Sequence, residues 1–252
     1  MKKSEFPKEV TLCLSGGAAR GAYHLGVISV LEEYNIRIKA ISGTSIGALI
    51  GASLACGRSA DEIFDILKSK EFRSVFKLSL GKGYIFKLDH TAKVIDKIID
   101  RAAFEELSIP LSVCVCDVAD ESALHCSSGE DLKELVLASC SIAPLFQPVS
   151  LHGKIYVDGG VVDNFPVEEL QKYNTPIIGI NLYPKQRNVP KSIIGWLKKN
   201  IRTAWQSPYH AKSALCHLYL SNEKLNDVKI FSFRDLDKAY ALGVKDMREI
   251  LC

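Results

Sequence analysis

The sequence predicts an α/β protein with a mainly parallel central sheet covered by helices on both faces. Two observations carry this expectation. Apolar runs of strand length alternate with stretches of helical period along most of the chain, the pattern of parallel strands joined by crossover helices. The first two such runs each end in a glycine-bearing turn that opens a helix, at 16–21 and 43–47. With no internal repeat or linker, residues 1–252 are read as one domain, with a motif-bearing core over about 10–182 and a basic helical segment over about 191–220.

Residues 10–15 are apolar and bounded by glycines, a short buried strand. Residues 22–34 place Ala22, Leu25, Ile28 and Leu31 on one helical face. A second strand is expected at 38–42, followed by an apolar helix reaching about Cys56. Ser59, with Asp61 and Glu62 behind it, is an N-cap opening the next helix. Residues 71–89 are aromatic and follow no clean period. A helix is expected at 91–103. The run 110–118 is the most strand-like in the chain, with 122–127 pairing back onto it, and 131–140 is a helix stopped near Pro144. Strands follow at 154–157 and 175–182. Residues 191–220 read as mostly helical, 228–233 as a last strand and 236–251 as a closing helix.

Composition excludes several classes. Of 252 residues, 47% are hydrophobic and 24% charged, with 17 glycines and 9 prolines, which rules out disordered and collagen-like chains. Eight cysteines (13, 56, 114, 116, 126, 140, 216, 252) form no C-x-x-C pair and sit mostly in apolar runs, so they are read as reduced and structural, with no metal. The longest uncharged apolar stretch, 46–56, is far shorter than the ~20 residues of a membrane span. The N-terminus has lysines but no apolar segment behind them, so no signal peptide is expected and the expected location is cytoplasmic. A net charge of +3 gives no argument for nucleic acid as a partner.

Gly43-Thr44-Ser45-Ile46-Gly47 is a G-x-S-x-G string between an apolar strand and a small-residue helix, the setting of a nucleophile elbow. Small neighbours let a serine sit on a strained turn, and the helix N-terminus favours negative charge developing beside Ser45. The loop of Gly16, Gly17, Ala18, Ala19, Arg20 and Gly21 is not a dinucleotide fingerprint. Ala18 stands where a glycine is required, and Ser42 and Gly43 occupy the region ~20 positions on where an acid should lie. It reads instead as a row of N–H groups at a helix start, an anion site that would serve as an oxyanion hole if placed beside Ser45.

A serine nucleophile needs a base. Of six histidines (24, 90, 125, 152, 210, 217), only His210 and His217 come late enough for the Ser–acid–His order, and both lie in a basic segment read as helical. The alternative is Asp158, at a strand end before Gly159 and Gly160, where backbone can approach closely. An ordinary aspartate, pKa ~3.9, is a feeble base and would need a dry pocket. The same position also suits a plain turn residue.

Four segments in order resemble the patatin-like phospholipase family: 14–23 with its glycine loop, 43–48 with the elbow, 138–149, and 157–160 continuing to Asn164-Phe165-Pro166. The resemblance implies a patatin-like fold, Ser45 as nucleophile, Asp158 as sole base, the 16–21 loop as oxyanion hole with Arg20 near it, and no cofactor. It implies hydrolysis of phospholipid or other acyl-ester lipids through an acyl-enzyme, which explains why no histidine looks catalytic. One departure stands out. Ala18 takes the place of the third glycine in the family's run; an alanine still has an N–H, so the hole survives with a negative φ there, while a positive φ would strain that residue and bear on activity. A catalytically weak scaffold that binds lipid or a protein partner is the rival reading. Asp163 is expected to be a solvated loop acid, and Ser15 and Ser42 to cap or turn the backbone.

No acidic residue occurs between Glu169 and Glu223, whereas Lys172, Lys185, Arg187, Lys191, Lys198, Lys199, Arg202 and Lys212 all do. Ile193, Ile194, Trp196, Leu197, Ile201 and Trp205 recur there at helical spacing, so residues 185–205 are expected to make peripheral contact with an anionic membrane surface.

Overall fold

A computed structural model describes residues 6–78, 83–88, 93–185, 189–190, 192–194, 196–197, 199 and 211–252. Along the chain come β1 (Glu9–Leu14), α1 (Ala22–Glu33), β2 (Arg37–Thr44), α2 (Ile46–Ala55), α3 (Ala60–Lys68), α4 (Lys70–Arg73), β3 (Phe76–Leu78), β4 (Phe86–Leu88) and α5 (Lys93–Ile98). Then follow β5 (Leu111–Asp117), β6 (Ser122–Cys126), α6 (Leu132–Ser139), β7 (Val149–Leu151), β8 (Lys154–Asp158), β9 (Ile177–Ile180), β10 (Leu218–Leu220) and α7 (Leu236–Leu251). The main sheet runs β10-β9-β1-β2-β5-β8-β7, with β6 also on β5. From β10 to β5 all pairings are parallel; β6, β8 and β7 are antiparallel additions.

Alternation along the strands fills both faces. Val10, Leu12 and Leu14 of β1 join Ile41, Ile178 and Ile180 in a large core with α1, α2, α3, α6 and α7. Cys13, Ala40 and Ile177 point the other way, against Phe165, Val167 and Leu170, so that face is covered by the 3-10 segment Val167–Tyr173. Helices α1 and α7 cross closely: a Cβ on Gly26 would collide with the Tyr240 carbonyl, and one on Gly243 with that of Tyr23. Ser59 caps α3 as expected, in a full capping box with Glu62.

Three expectations are corrected. The helix expected over 91–103 stops at Ile98, because Arg58 captures the Asp100 carboxylate at 3.3 Å and Glu106 takes the Ala102 N–H at 3.0 Å, turning the chain; residues 91 and 92 lie outside the described residues. Residues 228–233 form no strand. Their carbonyls serve the glycine loop instead: Val228 accepts from Arg20 Nε at 3.0 Å and Ile230 from the Ala19 N–H at 2.8 Å. The segment read as mostly helical to 220 ends in strand β10, with Leu218 and Leu220 in the large core and Tyr219 against the other.

Candidate active site

Register brings the two candidate catalytic residues together. Strand β5 pairs with β2 at Leu111–Cys114 and with β8 at Val115–Asp117, while β6 lies along 113–117 of the same strand. Because β6 overlaps both, β2 and β8 share the opposite edge, and they run towards each other along it. Thr44 ends β2 opposite Cys114, and Asp158 ends β8 opposite the next residue, Val115. Ser45 follows at once, with φ 56° and ψ −126°, a conformation rare for a residue with a side chain. The elbow closes only because its glycines are bare: a Cβ on Gly43 would sit 2.6 Å from the Gly47 carbonyl, and one on Gly47 would strike that of Leu14.

Asp158 is 2% exposed. Its Oδ1 accepts the Gly160 N–H at 2.7 Å, and its Oδ2 is buried with no hydrogen-bond partner. Burial pushes its pKa up to about 7, against smaller downward pulls from the Ser45 side chain and the Gly160 amide. Gly159 has no room for a side chain, its Cβ position falling on the Cys114 carbonyl.

The glycine loop is tied from several sides. The Gly16 N–H donates to Asn164 Oδ1 at 3.1 Å, the Ala19 N–H to Ile230, and the Arg20 N–H to the Gly17 carbonyl at 3.1 Å. Among the described residues the amides of Gly17 and Ala18 carry no such bond. Arg20 is buried, its guanidinium on the carbonyls of Val228 and Leu182, so its side chain braces the loop. His24 is fully buried and its pKa is lowered to about 4 by desolvation, so the ring is neutral and Nε2–H donates to the Ser15 carbonyl at 2.9 Å. Ala18 has φ 48°, the left-handed region that favours glycine.

Two cavities meet at Ser45. The smaller, of about 260 Å³, is lined by Gly16, Gly17, Asp158, Gly160, Asn164 and Tyr183, with Ile142 and Val161. An apolar one of about 470 Å³ runs from Ala18, Ile46 and Leu49 past Phe72, Phe76, Phe86 and Phe146 to Leu67, Ile95 and Leu236. The unperiodic aromatic stretch at 71–89 thus supplies part of its wall, through α4 and the β3–β4 hairpin.

Four histidines are described, and none lines either cavity. His24 holds Ser15, His125 pairs with Asp163 and Glu169, His152 with Asp131, and His217 Nδ1 accepts the Ile177 N–H. His90 and His210 lie outside the described residues.

Asp163 is not a solvated acid. It is 8% exposed, with Oδ2 3.1 Å from His125 Nε2 and Oδ1 2.8 Å from Lys212 Nζ. Burial pushes its pKa up, but hydrogen bonds from His125 and Lys212 more than offset this and leave it below the usual range. Cys114, His125 and Asp163 bring ligand-type atoms within 4.8 Å of one another, and the cation in contact with that group is the Lys212 ammonium. The backbone at Asp163 also accepts from Thr44 Oγ1 at 2.9 Å, binding this loop to the elbow.

Comparison with known proteins decides the family. The model of the patatin-like phospholipase family matches residues 12–170, which include Ser45, Asp158 and the glycine loop. The chain belongs to the patatin-like phospholipase family. An uncharacterized NTE family protein of Mycobacterium tuberculosis is 29% identical over 203 residues, covering 77% of this chain and 56% of the relative, so the chain spans about half of that protein's length. Lysophospholipase NTE1 of Coccidioides immitis is 34% identical over 179 residues, covering 68% of this chain and 11% of the fungal protein. Among solved structures, VipD of Legionella pneumophila superposes with a TM-score of 0.54 at 14% identity, covering 97% of this chain and 67% of that one, a likeness of fold. Tyr183 and Ile230 lie beyond the matched span, yet one lines the smaller cavity and the other braces the glycine loop.

Proposed function

We propose that this chain is a serine lipid acyl hydrolase of the phospholipase A or lysophospholipase type, with Ser45 as nucleophile and Asp158 as its only base. The observation that carries this reading is Ser45 standing between a long apolar cavity and a buried carboxyl whose pKa is near 7. The acyl chain occupies the larger, apolar cavity, where each buried methylene contributes about 0.8 kcal/mol, and the alcohol part of the ester lies in the smaller cavity beside Asp158 and Asn164.

Asp158 takes the proton of Ser45 Oγ as Oγ bonds to the ester carbon, and the carbonyl oxygen becomes an oxyanion held by the amides of Gly17 and Ala18. The carbon–oxygen bond to the alcohol then breaks, and Asp158 gives its proton to the leaving oxygen. A water next loses a proton to Asp158 and attacks the acyl carbon. The bond to Ser45 Oγ breaks, the proton returns to Oγ, and the fatty acid leaves. Every proton is carried by one carboxyl, and no cofactor enters.

The test is release of free fatty acid, measured by mass spectrometry, from a panel of phospholipids, lysophospholipids and neutral esters. Release from at least one class by wild type and not by Ser45→Ala is expected; no release from any, or equal release by the variant, overturns the reading. The rival reading of a weak scaffold rests on Ala18 and its positive φ. An alanine there is strained by about 1 kcal/mol, so Ala18→Gly is expected to keep or raise kcat with little change in Tm. A large fall in kcat in a folded Ala18→Gly protein would show that the methyl group suits this loop.

Contact with an anionic membrane is part of the proposal. Among the described residues no helix is long and apolar enough to cross a membrane. Ile193 is 89% exposed and Ile194 67%, with Trp196 and Leu197 also exposed, and Phe231 is exposed while lining the apolar cavity. Lys191, Lys198, Ile201, Arg202 and Trp205 lie outside the described residues. Sedimentation with liposomes is expected to rise with anionic lipid, to fall with salt, and to weaken when Lys198, Lys199 and Arg202 become glutamine. Binding indifferent to all three would remove membrane contact from the proposal.

A further inference from the structure

We propose that Ser139 is a positioning residue for the nucleophile, and that Ser139 and Ser141 together clamp Ser45 and Asp158 at their working separation. The inference rests on the Ser45–Asp158 reading above.

The Ser45 N–H leaves the strand ladder at the elbow and donates to Ser139 Oγ at 2.8 Å. Ser139 Oγ in turn donates to the Cys114 carbonyl at 2.6 Å. Cys114 is the β5 residue opposite Thr44, so the circuit from β5 through Ser139 to Ser45 closes on the neighbour of the nucleophile. Two positions on, the Ser141 carbonyl accepts the Asp158 N–H at 3.0 Å, and Ser141 Oγ donates to the Leu137 carbonyl at 2.8 Å, pinning the segment to α6. Both serines are fully buried. One stretch of three residues therefore holds the backbone of the nucleophile and the backbone of its base, and no hydrogen bond links it to either reacting side chain.

The chemistry explains why a hydroxyl stands at 139. The group must accept from one main-chain N–H and donate to one main-chain carbonyl at once, and a serine does both with a single atom. Its removal leaves a buried donor and a buried acceptor unpaired next to the least relaxed residue of the elbow. A strained conformation persists only while its surroundings fix it, so Ser45 then relaxes and its Oγ shifts relative to Asp158 and to the Gly17 and Ala18 amides. Neither Ser139 nor Ser141 lines the apolar cavity; their neighbours Leu137, Cys140 and Ile142 do, and a change confined to the 139 hydroxyl leaves those side chains in the wall.

The experiment compares wild type, Ser139→Ala, Ser139→Cys and Ser139→Thr on a soluble fatty-acyl ester, with rates expressed per active site titrated by a fluorophosphonate. Ser139→Ala is expected to lower kcat by about 10²-fold, the loss that follows a misplacement of about 1 Å. Its KM should stay within a factor of about 3. The fluorophosphonate labelling rate of Ser45 should fall by the same factor as kcat. Ser139→Thr keeps the hydroxyl and should recover most of the rate. Ser139→Cys fills nearly the same space with a weak hydrogen-bonding group, so it keeps the proposal testable if the alanine variant does not fold, and it should lose at least about tenfold in kcat. Ser53→Ala, which removes a buried hydroxyl with no partner in α2, should match wild type.

A folded Ser139→Ala or Ser139→Cys protein with wild-type kcat per site, or a loss confined to KM, overturns the positioning role. A wild-type protein that takes up no fluorophosphonate and cleaves no ester ends the Ser45–Asp158 reading itself. A wild type labelled at Ser45, with Ser139→Ala labelled equally fast, ends this inference alone.

Discussion

Ser45→Ala is expected to remove ester hydrolysis, with kcat falling by at least about 10⁴-fold, because the covalent route has no other nucleophile. The fold should survive. The hydroxyl points into cavity space, and the strain at φ 56° belongs to the backbone and not to Oγ. Ser42→Ala is the matched comparison. Ser42 lies three residues earlier on β2, with its buried hydroxyl beside the Cys13 thiol and in the lining of neither cavity, so losing it should leave turnover near wild type. Steady-state rates on one ester, with melting temperatures to verify folding, separate the two outcomes. A well-folded Ser45→Ala protein that still turns over would exclude Ser45 as the nucleophile.

Asp158→Asn carries two opposite expectations. Activity should be lost nearly as completely as in Ser45→Ala, since the amide keeps the shape, and can keep the Gly160 hydrogen bond, but cannot take a proton. Stability should rise, and only at higher pH. The folded-state pKa is about 7 and the ordinary value 3.8, so between these the unfolded chain has already released the proton that the folded protein retains. Wild-type stability therefore falls as pH rises from about 4 to about 7 and stays lowered above that. Asparagine has no such penalty. The variant should match wild type near pH 4 and exceed it above pH 7, by an amount on the order of a few kcal/mol. Melting curves across pH check this, and a variant less stable than wild type at every pH would contradict a buried carboxyl strained by desolvation. The same titration sets the wild-type rate: kcat/KM should climb about tenfold per pH unit below 7 and level off above it.

What could be read in advance followed from local rules. The strand–turn–helix around Ser45 was legible because the apolar run, the glycines and the small-residue helix are contiguous in sequence. Asp158 was visible as a strand-end acid before two glycines, and the family resemblance favoured it over a histidine. What stayed hidden was tertiary. Lys212 lies 49 positions from the Asp163 it neutralises, so a buried ion pair looked like a solvated acid. Residues 228–233 have strand composition, but their carbonyls are claimed by Arg20 and Ala19 some two hundred positions earlier. Phe72, Phe76 and Phe86 show no common period because they line a cavity from α4 and the β3–β4 hairpin and not from one face of one element. Ser139 gives no signal of its own in the sequence; what its hydroxyl joins follows from where the fold places Ser45 and Cys114. Ala18 is a departure legible in the sequence, and its φ of 48° is the condition under which that departure matters.

The most direct measurement is a peptide map of the protein after reaction with a fluorophosphonate at about pH 8, where a carboxyl of pKa near 7 is ionised. The expected result is a single adduct, on Ser45, whose rate of formation falls with a midpoint near pH 7 and which is absent from Asp158→Asn. An adduct on any other residue, or labelling of Ser45 in Asp158→Asn at the wild-type rate, would contradict a nucleophile activated by that one buried acid.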